Sequence, residues 1–275
     1  MRASYKKLWK LLVDKDMSKG DLHKASGLSS STMTKLRKGE DVSMERILTE
    51  LKDLDHLPEY LLLENVKTIK ADKHIKDLNQ WLDFLESMGY ANTKCMILNS
   101  LDFGVPQDRE RAFIISHLGD TLDVVNKIEA AKKEREFKIR KFIKSNYKNP
   151  IYKLEADIAQ LNKTPSRDVM WDINGKTISN HMIVRTITCN MDRTHTAALF
   201  KYNGPKGDTY RRLTMREAFL LMGFTEKEYV KASSLNFSYR KLNKLIGNSI
   251  VVNVLQAIFE AMFGDTYMKK EAEED

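Results

Sequence analysis

The chain is poor in cysteine: Cys95 and Cys189 are the only two among 275 residues. Two thiols cannot build a disulfide framework, so a cystine-stapled secreted fold is excluded and a reducing cytoplasm is the natural home. Long apolar runs are missing as well. The longest early one, Leu11-Leu12-Val13, falls far short of a signal segment, and no stretch reads as a membrane span. No internal repeat is evident, and no metal site is expected. Charge is only mildly one-sided: 46 Lys and Arg stand against 38 Asp and Glu, a net +8. That excess permits a polyanionic partner without demanding one. The remainder is ordinary for a globular protein, with 42% apolar and 31% charged residues. The length suffices for one large domain or two modest ones.

The first 50 residues alternate short helices with turns. Leu8, Trp9, Leu11 and Leu12 recur at helical spacing. Ser18 is placed to cap a second helix, with Asp21 completing an approximate capping box. Leu22 and Ala25 are the expected buried positions of that helix, and Gly27 permits the turn that ends it. Ser29 opens a third helix with Thr32, Met33 and Leu36, stopped by Gly39. Ser43 opens a fourth with Met44, Ile47, Leu48 and Leu51. This order is a helix-turn-helix signature. The segment resembles the Cro and phage-repressor regulators, which would place Ser30, Thr34, Lys35 and Arg37 on or near a recognition helix. Its 11 basic against seven acidic side chains suit DNA; a dimerisation or docking cap is the other use of such a bundle.

After Leu57-Pro58 the pattern changes. The apolar run through Leu61-Leu62-Leu63 reads as a buried parallel strand. Residues 74–89 form an amphipathic helix around Ile75, Leu78, Trp81, Leu82 and Leu85. A strand near 94–99 and another at 113–116 follow, joined by the loop at 102–106. Strand, helix, strand, loop, strand indicates an α/β sheet. From Gly119 to about Asp208 the order loosens. Residues 126–149 carry nine basic against three acidic side chains, a solvated helix face or a DNA contact with equal plausibility, and 165–205 is rich in Thr, Asn and Arg. Helical order returns at 214–222, where Thr214 and Glu217 form a capping box. A last helix is expected from about Ser249 to Phe263, opened by Gly247-Asn248-Ser249, ahead of a charged tail.

Four local patterns stand in one order: Leu61 to Val66 (LLLENV), Leu98 to Arg111 (LNSLDFGVPQDRER), Arg212 to Thr214 with Glu217 and Met222-Gly223-Phe224, and Gly247 to Asn253 (GNSIVVN). Together they resemble the second half of a bacterial DNA cytosine-5 methyltransferase, over roughly residues 45–264. Glu64 closes an apolar strand, where open α/β sheets place ligands and partial burial favours a carboxyl that keeps its proton. The resemblance implies that it meets N3 of a flipped cytosine; a strand-end Glu can equally pair with a neighbouring Arg. Arg109 and Arg111 face one side of a strand and can grip a carbonyl and a phosphate. The resemblance puts Arg111 on the cytosine O2, with Arg109 supporting it, and one of the two can also serve as a structural partner of Glu64 or Glu110. It implies that Asn248 and Ser249 form part of an S-adenosylmethionine pocket. It also makes the loose region a target recognition domain, with Arg185, Thr188 and Arg193 among the base-reading or phosphate-binding residues.

The first half of the family pattern is not found. There is no glycine-rich cofactor turn, no acidic residue placed after one, and no Pro-Cys dipeptide to supply the thiolate that attacks C6. Cys95 reads instead as a small buried residue and Cys189 as a loop thiol. The expected fold class is therefore mixed, an all-α helix-turn-helix followed by an incomplete α/β Rossmann-like methyltransferase sheet with a small target recognition domain. The expected division is 1–50 helix-turn-helix, 51–119 partial catalytic α/β, 120–208 target recognition, 209–265 return to the catalytic part, and 266–275 tail. The resemblance implies a cytoplasmic subunit of a restriction-modification methyltransferase. It would act on double-stranded DNA, share S-adenosylmethionine with a partner chain that carries Pro-Cys, and be inactive alone. A non-catalytic DNA-binding regulator with a vestigial methyltransferase half, and a rearranged relic, are the alternatives.

Overall fold

A computed structural model describes residues 5–120, 123–136, 138–143, 183–191, 199–204 and 207–264. In chain order the helices are α1 (Lys6–Asp14), α2 (Lys19–Ser26), α3 (Ser30–Lys38), α4 (Met44–Lys52), α5 (Asp72–Ser87), α6 (Val124–Ala130), α7 (Met215–Leu220), α8 (Glu226–Ser234), α9 (Tyr239–Gly247) and α10 (Val252–Phe263). The strands are β1 (Tyr60–Val66), β2 (Tyr90–Asn92), β3 (Met96–Asn99), β4 (Gln107–Asp108), β5 (Glu110–Leu118), β6 (Val184–Arg185), β7 (Leu199–Gly204) and β8 (Gly207–Arg212). They fall into two compact units, Met1–Cys95 with Phe113–Leu122, and Met96–Ala112 with Asp123–Asp275.

In the first unit the expected helices form where local capping directs them. Ser18 and Asp21 close a capping box, with N–H to oxygen distances of 3.0 and 2.8 Å, and Gly27 ends α2 at φ 65°, a left-handed turn that disfavours other residues. A side chain at Gly27 would also run into Leu54. Leu28, Met33 and Leu36 form the core, with Trp9, Leu22, Ile47 and Leu51 packed around them. Ala25 is exposed, against expectation, because only Leu22 of the α2 pair is turned toward that cluster.

Glu50 on α4 ties α3 down. Its carboxylate accepts from the Ser29 N–H (2.9 Å), the Ser29 hydroxyl (2.9 Å), the Thr32 hydroxyl (2.7 Å) and Arg46 Nε (3.2 Å). Burial pushes its pKa up, but the Thr32, Ser29 and Arg46 donors outweigh that push and hold it at about 2.

The other face of α4 belongs to a second cluster. Leu48, 1% exposed, packs with Leu85 of α5, Met88 and Tyr90, and with the partly buried Leu57, Leu61, Trp81, Phe84 and Leu118. Lys52 donates to the Ser87 carbonyl (3.1 Å), and the Tyr90 hydroxyl to that of Pro58 (2.6 Å). α4 therefore contributes to both clusters, Ile47 and Leu51 to the first and Leu48 to the second, and joins the helix-turn-helix to the α/β layer. The sheet order is β1-β5-β2, with Tyr90 opposite Leu118 and Asn92 opposite Ser116 in antiparallel register. Among the described residues β1 pairs with β5 alone. Its Leu61, Leu62 and Leu63 are only half-buried, which corrects the expectation of a buried strand: the run lies at the sheet's edge.

In the second unit the segment after β3 closes on itself. The Asn99 carboxamide donates to Asp108 (2.7 Å) and accepts from the Leu101 N–H (3.1 Å), and the Ser100 hydroxyl donates to the Gln107 carbonyl (2.5 Å). The 126–149 stretch is not one solvated helix. It begins in α6, Ile139–Lys141 adds one 3-10 turn, and Ile128, Ile139 and Ile143 are buried; residues 137 and 144–149 lie outside the described residues. Within 183–188 one short strand, β6, pairs in parallel with β4. β7 and β8 form an antiparallel hairpin from Leu199 opposite Arg212 to Gly204 opposite Gly207, inside a span read as loose. Residues 239–263 are long and apolar enough by composition to cross a membrane, which corrects the reading that no stretch is. They form two helices, α9 and α10, each burying a face: Leu242 and Ile246 on the first, Val254, Ala257, Ile258 and Ala261 on the second.

Glu50 supplies the first prediction. Its folded-state pKa lies below the ordinary 4.5, so its stabilisation is complete above that pH and is lost as pH falls toward 2. Glu50→Gln is expected to lower the stability of the first unit by about 1–2 kcal/mol at pH 6, in a site solvent still screens in part. Urea unfolding followed by tryptophan fluorescence should show the gap between wild type and variant closing toward pH 2. An equal gap at all pH values would contradict the assignment.

Candidate functional site

Three groups of residues carry recognisable chemistry, and each is built inside one unit. The first is in the second unit, around Gln107, Arg109 and Arg111. Gln107 is fully buried and bridges two segments: its Nε2 donates to the Leu221 carbonyl (2.6 Å), and its Oε1 accepts from the Ile187 N–H (2.9 Å). Arg109, 4% exposed, takes the other side of the same residue, with Nη1 donating to the Ile187 carbonyl at 2.7 Å. Its Nη2 donates to the carbonyls of Gly247 (3.2 Å) and Ser249 (2.8 Å). Two side chains spaced i and i+2 thus clamp Ile187 from both faces of its backbone, and one of them also binds the corner between α9 and α10.

Further bonds hold the same segment. The Val184 N–H donates to the Pro106 carbonyl (2.9 Å), the Thr186 hydroxyl to that of Asp108 (2.8 Å), and the Asn243 carboxamide to that of Cys189 (3.1 Å). Gly247 lies so close to the backbone of Thr188 and Cys189 that a Cβ there would overlap it. Val184, Ile187 and Met191 are buried, Thr188 is half-buried, and Arg185 is exposed. The described part of the expected reading loop is therefore an anchored strip with Arg185 as its outward basic group; Arg193 lies outside the described residues. Arg111 is half-buried and donates to the Glu110 carbonyl (2.7 Å). Where Arg109 is engaged with main-chain oxygens, Arg111 keeps a surface toward solvent.

The Gly247-Asn248-Ser249 turn does not open the last helix. Asn248 is the C-cap of α9, the Ser249 hydroxyl donates back to the Leu245 carbonyl (2.8 Å), and α10 starts at Val252 after an uncapped Val251. The first N–H of α10 is taken by the Met222 carbonyl (2.9 Å). What the corner offers a polar ligand is the exposed Asn248 carboxamide and the remaining acceptor capacity of Ser249. These residues fit one edge of an S-adenosylmethionine molecule. The corner adds no aromatic face and no carboxylate for a ribose.

The second group is in the first unit. Glu64 lies half-buried near the end of β1, followed by the exposed Asn65 and Val66. A groove of about 310 Å³ opens at the end of the same strand, lined by its Leu63, Asn65 and Val66 and by Ile69, Leu78 and Trp81 among others. Cys95, also in this unit, is not an activated thiol: burial pushes its pKa up against a smaller opposing pull from Lys70. Cys189 is half-buried beside α9.

The third group is α3. Thr32, Met33 and Leu36 are buried, which turns Ser30, Ser31, Thr34, Arg37 and Lys38 outward, with Lys35 half-buried. The Thr34 hydroxyl donates to the Ser30 carbonyl (2.7 Å), and Arg46 Nη2 reaches the Ser31 hydroxyl (2.8 Å). Ser30, Thr34 and Arg37 form one exposed stripe of i, i+4, i+7 spacing.

Sequence reasoning missed Asn99, Ser100 and Asn243, whose partners are main-chain groups or a side chain fixed by the fold. Only Asn243 left a signal, as an amide on the apolar face of α9. Thr214 and Glu217 form the expected capping box, with distances of 3.2 and 2.9 Å.

The profile of the C-5 cytosine-specific DNA methylase family matches residues 37–264, and that of the Cro/C1-type helix-turn-helix DNA-binding domain matches residues 7–49. The chain is 32% identical over 207 residues to the type II methyltransferase M2.ScrFI of Lactococcus lactis subsp. cremoris, covering 75% of this chain and 54% of that protein. It is 28% identical over 257 residues to the orphan methyltransferase M.SssI of Spiroplasma monobiae, covering 90% and 63%. It thus spans between about half and two thirds of these relatives. Its fold is similar to that of the S. pombe Dnmt2 methyltransferase, with a TM-score of 0.57 and 20% identity over 79% of this chain and 72% of that one. It is also similar to that of the Entamoeba histolytica methyltransferase EhMeth, with a TM-score of 0.55 and 18% identity over 86% and 74%.

The clamp makes its own prediction. Arg109→Met removes the donor of three carbonyl bonds and is expected to cost about 2–4 kcal/mol. Gly247→Ala forces the Thr188–Cys189 backbone aside and is expected to cost about 1–3 kcal/mol. Urea midpoints of the full chain check both; wild-type midpoints would contradict the described contacts.

Proposed function

The chain belongs to the C-5 cytosine-specific DNA methylase family, and on that premise we propose that it is one part of a restriction-modification cytosine-5 methyltransferase, completed by a partner chain. The observation that carries this reading is a mismatch within the sequence. Glu64, Arg109 and Arg111 stand in intact family-like patterns, yet none of the five prolines precedes a cysteine, and the Cys95 thiol is raised rather than activated. In this reading the partner supplies the Pro-Cys thiolate and the glycine-rich cofactor loop. The substrate, double-stranded DNA, places the enzyme in the cytoplasm.

Each residue of this chain has a physical task in that reaction. Glu64 holds a proton at N3 of the flipped cytosine, which draws electron density from the ring and makes C6 open to the partner's thiolate. Arg111 directs a guanidinium at O2 and stabilises the charge that collects there. Arg109 is a positioning residue: its bonds to Ile187, Gly247 and Ser249 fix the strip that carries Arg185 and Thr188 against the corner that carries Asn248 and Ser249. Asn248 and Ser249 hold one polar edge of S-adenosylmethionine, which supplies the methyl group when bound. The basic 126–149 stretch and the target recognition region, 120–208, give phosphate affinity and sequence reading.

A second reading is favoured by the exposed Ser30, Thr34 and Arg37 stripe together with the helix-turn-helix match. There the chain is a sequence-specific regulator whose methyltransferase half no longer catalyses.

Two variants separate these roles. Glu64→Gln in the completed enzyme is expected to lower methyl transfer at least about 100-fold, the scale of one general acid–base group, while assembly and DNA binding persist. Full transfer by that variant would remove Glu64 from the reaction. Thr34→Ala with Arg37→Ala in the full chain is expected to weaken binding to DNA from upstream of its own gene about tenfold or more by fluorescence anisotropy. Unchanged affinity would take α3 out of DNA recognition.

A further inference from the structure

β1 has the sequence of an interior strand and the position of an edge strand. Leu61 and Leu63 face α5, Leu61 against the Leu48–Leu85 cluster and Leu63 in the groove with Leu78 and Trp81. Leu62, one residue between them, faces the opposite side. A strand apolar on both faces belongs inside a sheet, covered above and below. An edge strand of a free-standing protein is instead blunted by charge, proline or a bulge. Between Tyr60 and Val66 there is no Lys, Arg or Pro, and the single charge, Glu64, comes near the end. All three leucines remain half-exposed, Val66 is 48% exposed, and the groove beside α5 sets Leu63, Val66, Ile69, Leu78 and Trp81 among a few polar side chains such as Asn65 and Asp77.

We propose that β1 and the groove beside α5 form the docking surface for the chain that carries Pro-Cys, which adds a strand along the free edge and lays an apolar helix face across Leu63, Val66, Ile69, Leu78 and Trp81. This rests on the two-chain reading above and gives that partner a place on the fold. Three observations choose this occupant. The chain spans only 54% and 63% of the two relatives, so a large part of each relative has no counterpart in the matched region. The free edge carries Glu64, so a strand seated there runs beside the carboxyl that the reaction needs. The groove runs from the end of β1 onto α5, so a helix that follows an added strand can cover it.

The test uses the full-length chain purified from its native cells with whatever remains bound, the bound chains identified by mass spectrometry. Amide hydrogen exchange is then compared between the complex and the isolated chain. Capture of a Pro-Cys-bearing chain, with protection concentrated in 60–66 and 74–81, is the expected result. Leu62→Lys and Trp81→Glu are each expected to reduce its recovery at least tenfold. Should either variant fail to fold, the protection pattern of the wild type still decides. A Pro-Cys-bearing chain bound with protection elsewhere overturns the docking surface and leaves the two-chain reading standing. A dimer of this chain alone with β1 protected overturns the choice of occupant. No Pro-Cys-bearing chain in any preparation overturns both.

Discussion

A guanidinium cannot be buried without acceptors enough to replace water, and Arg109 finds three of them in main-chain carbonyls. They belong to Ile187, Gly247 and Ser249, between 78 and 140 residues along the chain. With Gln107 on the N–H side of Ile187, the side chains of a two-residue strand and its neighbour hold the exit of the recognition region and the α9–α10 corner in one piece. The glycine at 247 follows from this constraint, since the backbone of Thr188 and Cys189 fills the space a Cβ would need. The two arginines differ in burial: Arg109 is 4% exposed and bound to main-chain carbonyls, whereas Arg111 is half-buried and donates to the Glu110 carbonyl.

The first unit rests on a comparable economy in α4. One face of that helix sends Glu50 to the start of α3, and the other sends Leu48 into the cluster of α5 and Tyr90. α3 is therefore held by the Glu50 carboxylate of α4, and α4 packs in turn on α5 and Tyr90.

Much of this was legible in the sequence, and the failures share a cause. Ser18, Gly27, Ser29, Gly39 and Ser43 marked the helix ends correctly because capping acts over three or four residues. The patterns around Glu64 and Arg109 pointed to the family because their spacing is local too. Gly247-Asn248-Ser249 was misread as a helix start: Asn and Ser favour caps, but the position of α9 is set by Cys189 and Arg109, far away in the chain. The 183–191 strip was assigned to the recognition region through the family resemblance, and composition gave no sign that Val184, Ile187 and Met191 bury it. The Leu61–Leu63 run was read as interior, but among the described residues it lies at the edge of the sheet, and its leucines are half-exposed there. The partners of Gln107 and Arg109 had no sequence signal, since main-chain carbonyls carry no residue identity.

The central claim is that this chain holds a target cytosine but lacks the thiol that attacks it. The most direct measurement is transfer of a radiolabelled methyl group from S-adenosylmethionine to DNA, by the purified chain alone and by the same chain mixed with the Pro-Cys-bearing chain isolated with it. The account predicts no transfer by the chain alone and transfer at cytosine C5 by the mixture. Transfer by the chain alone would contradict it.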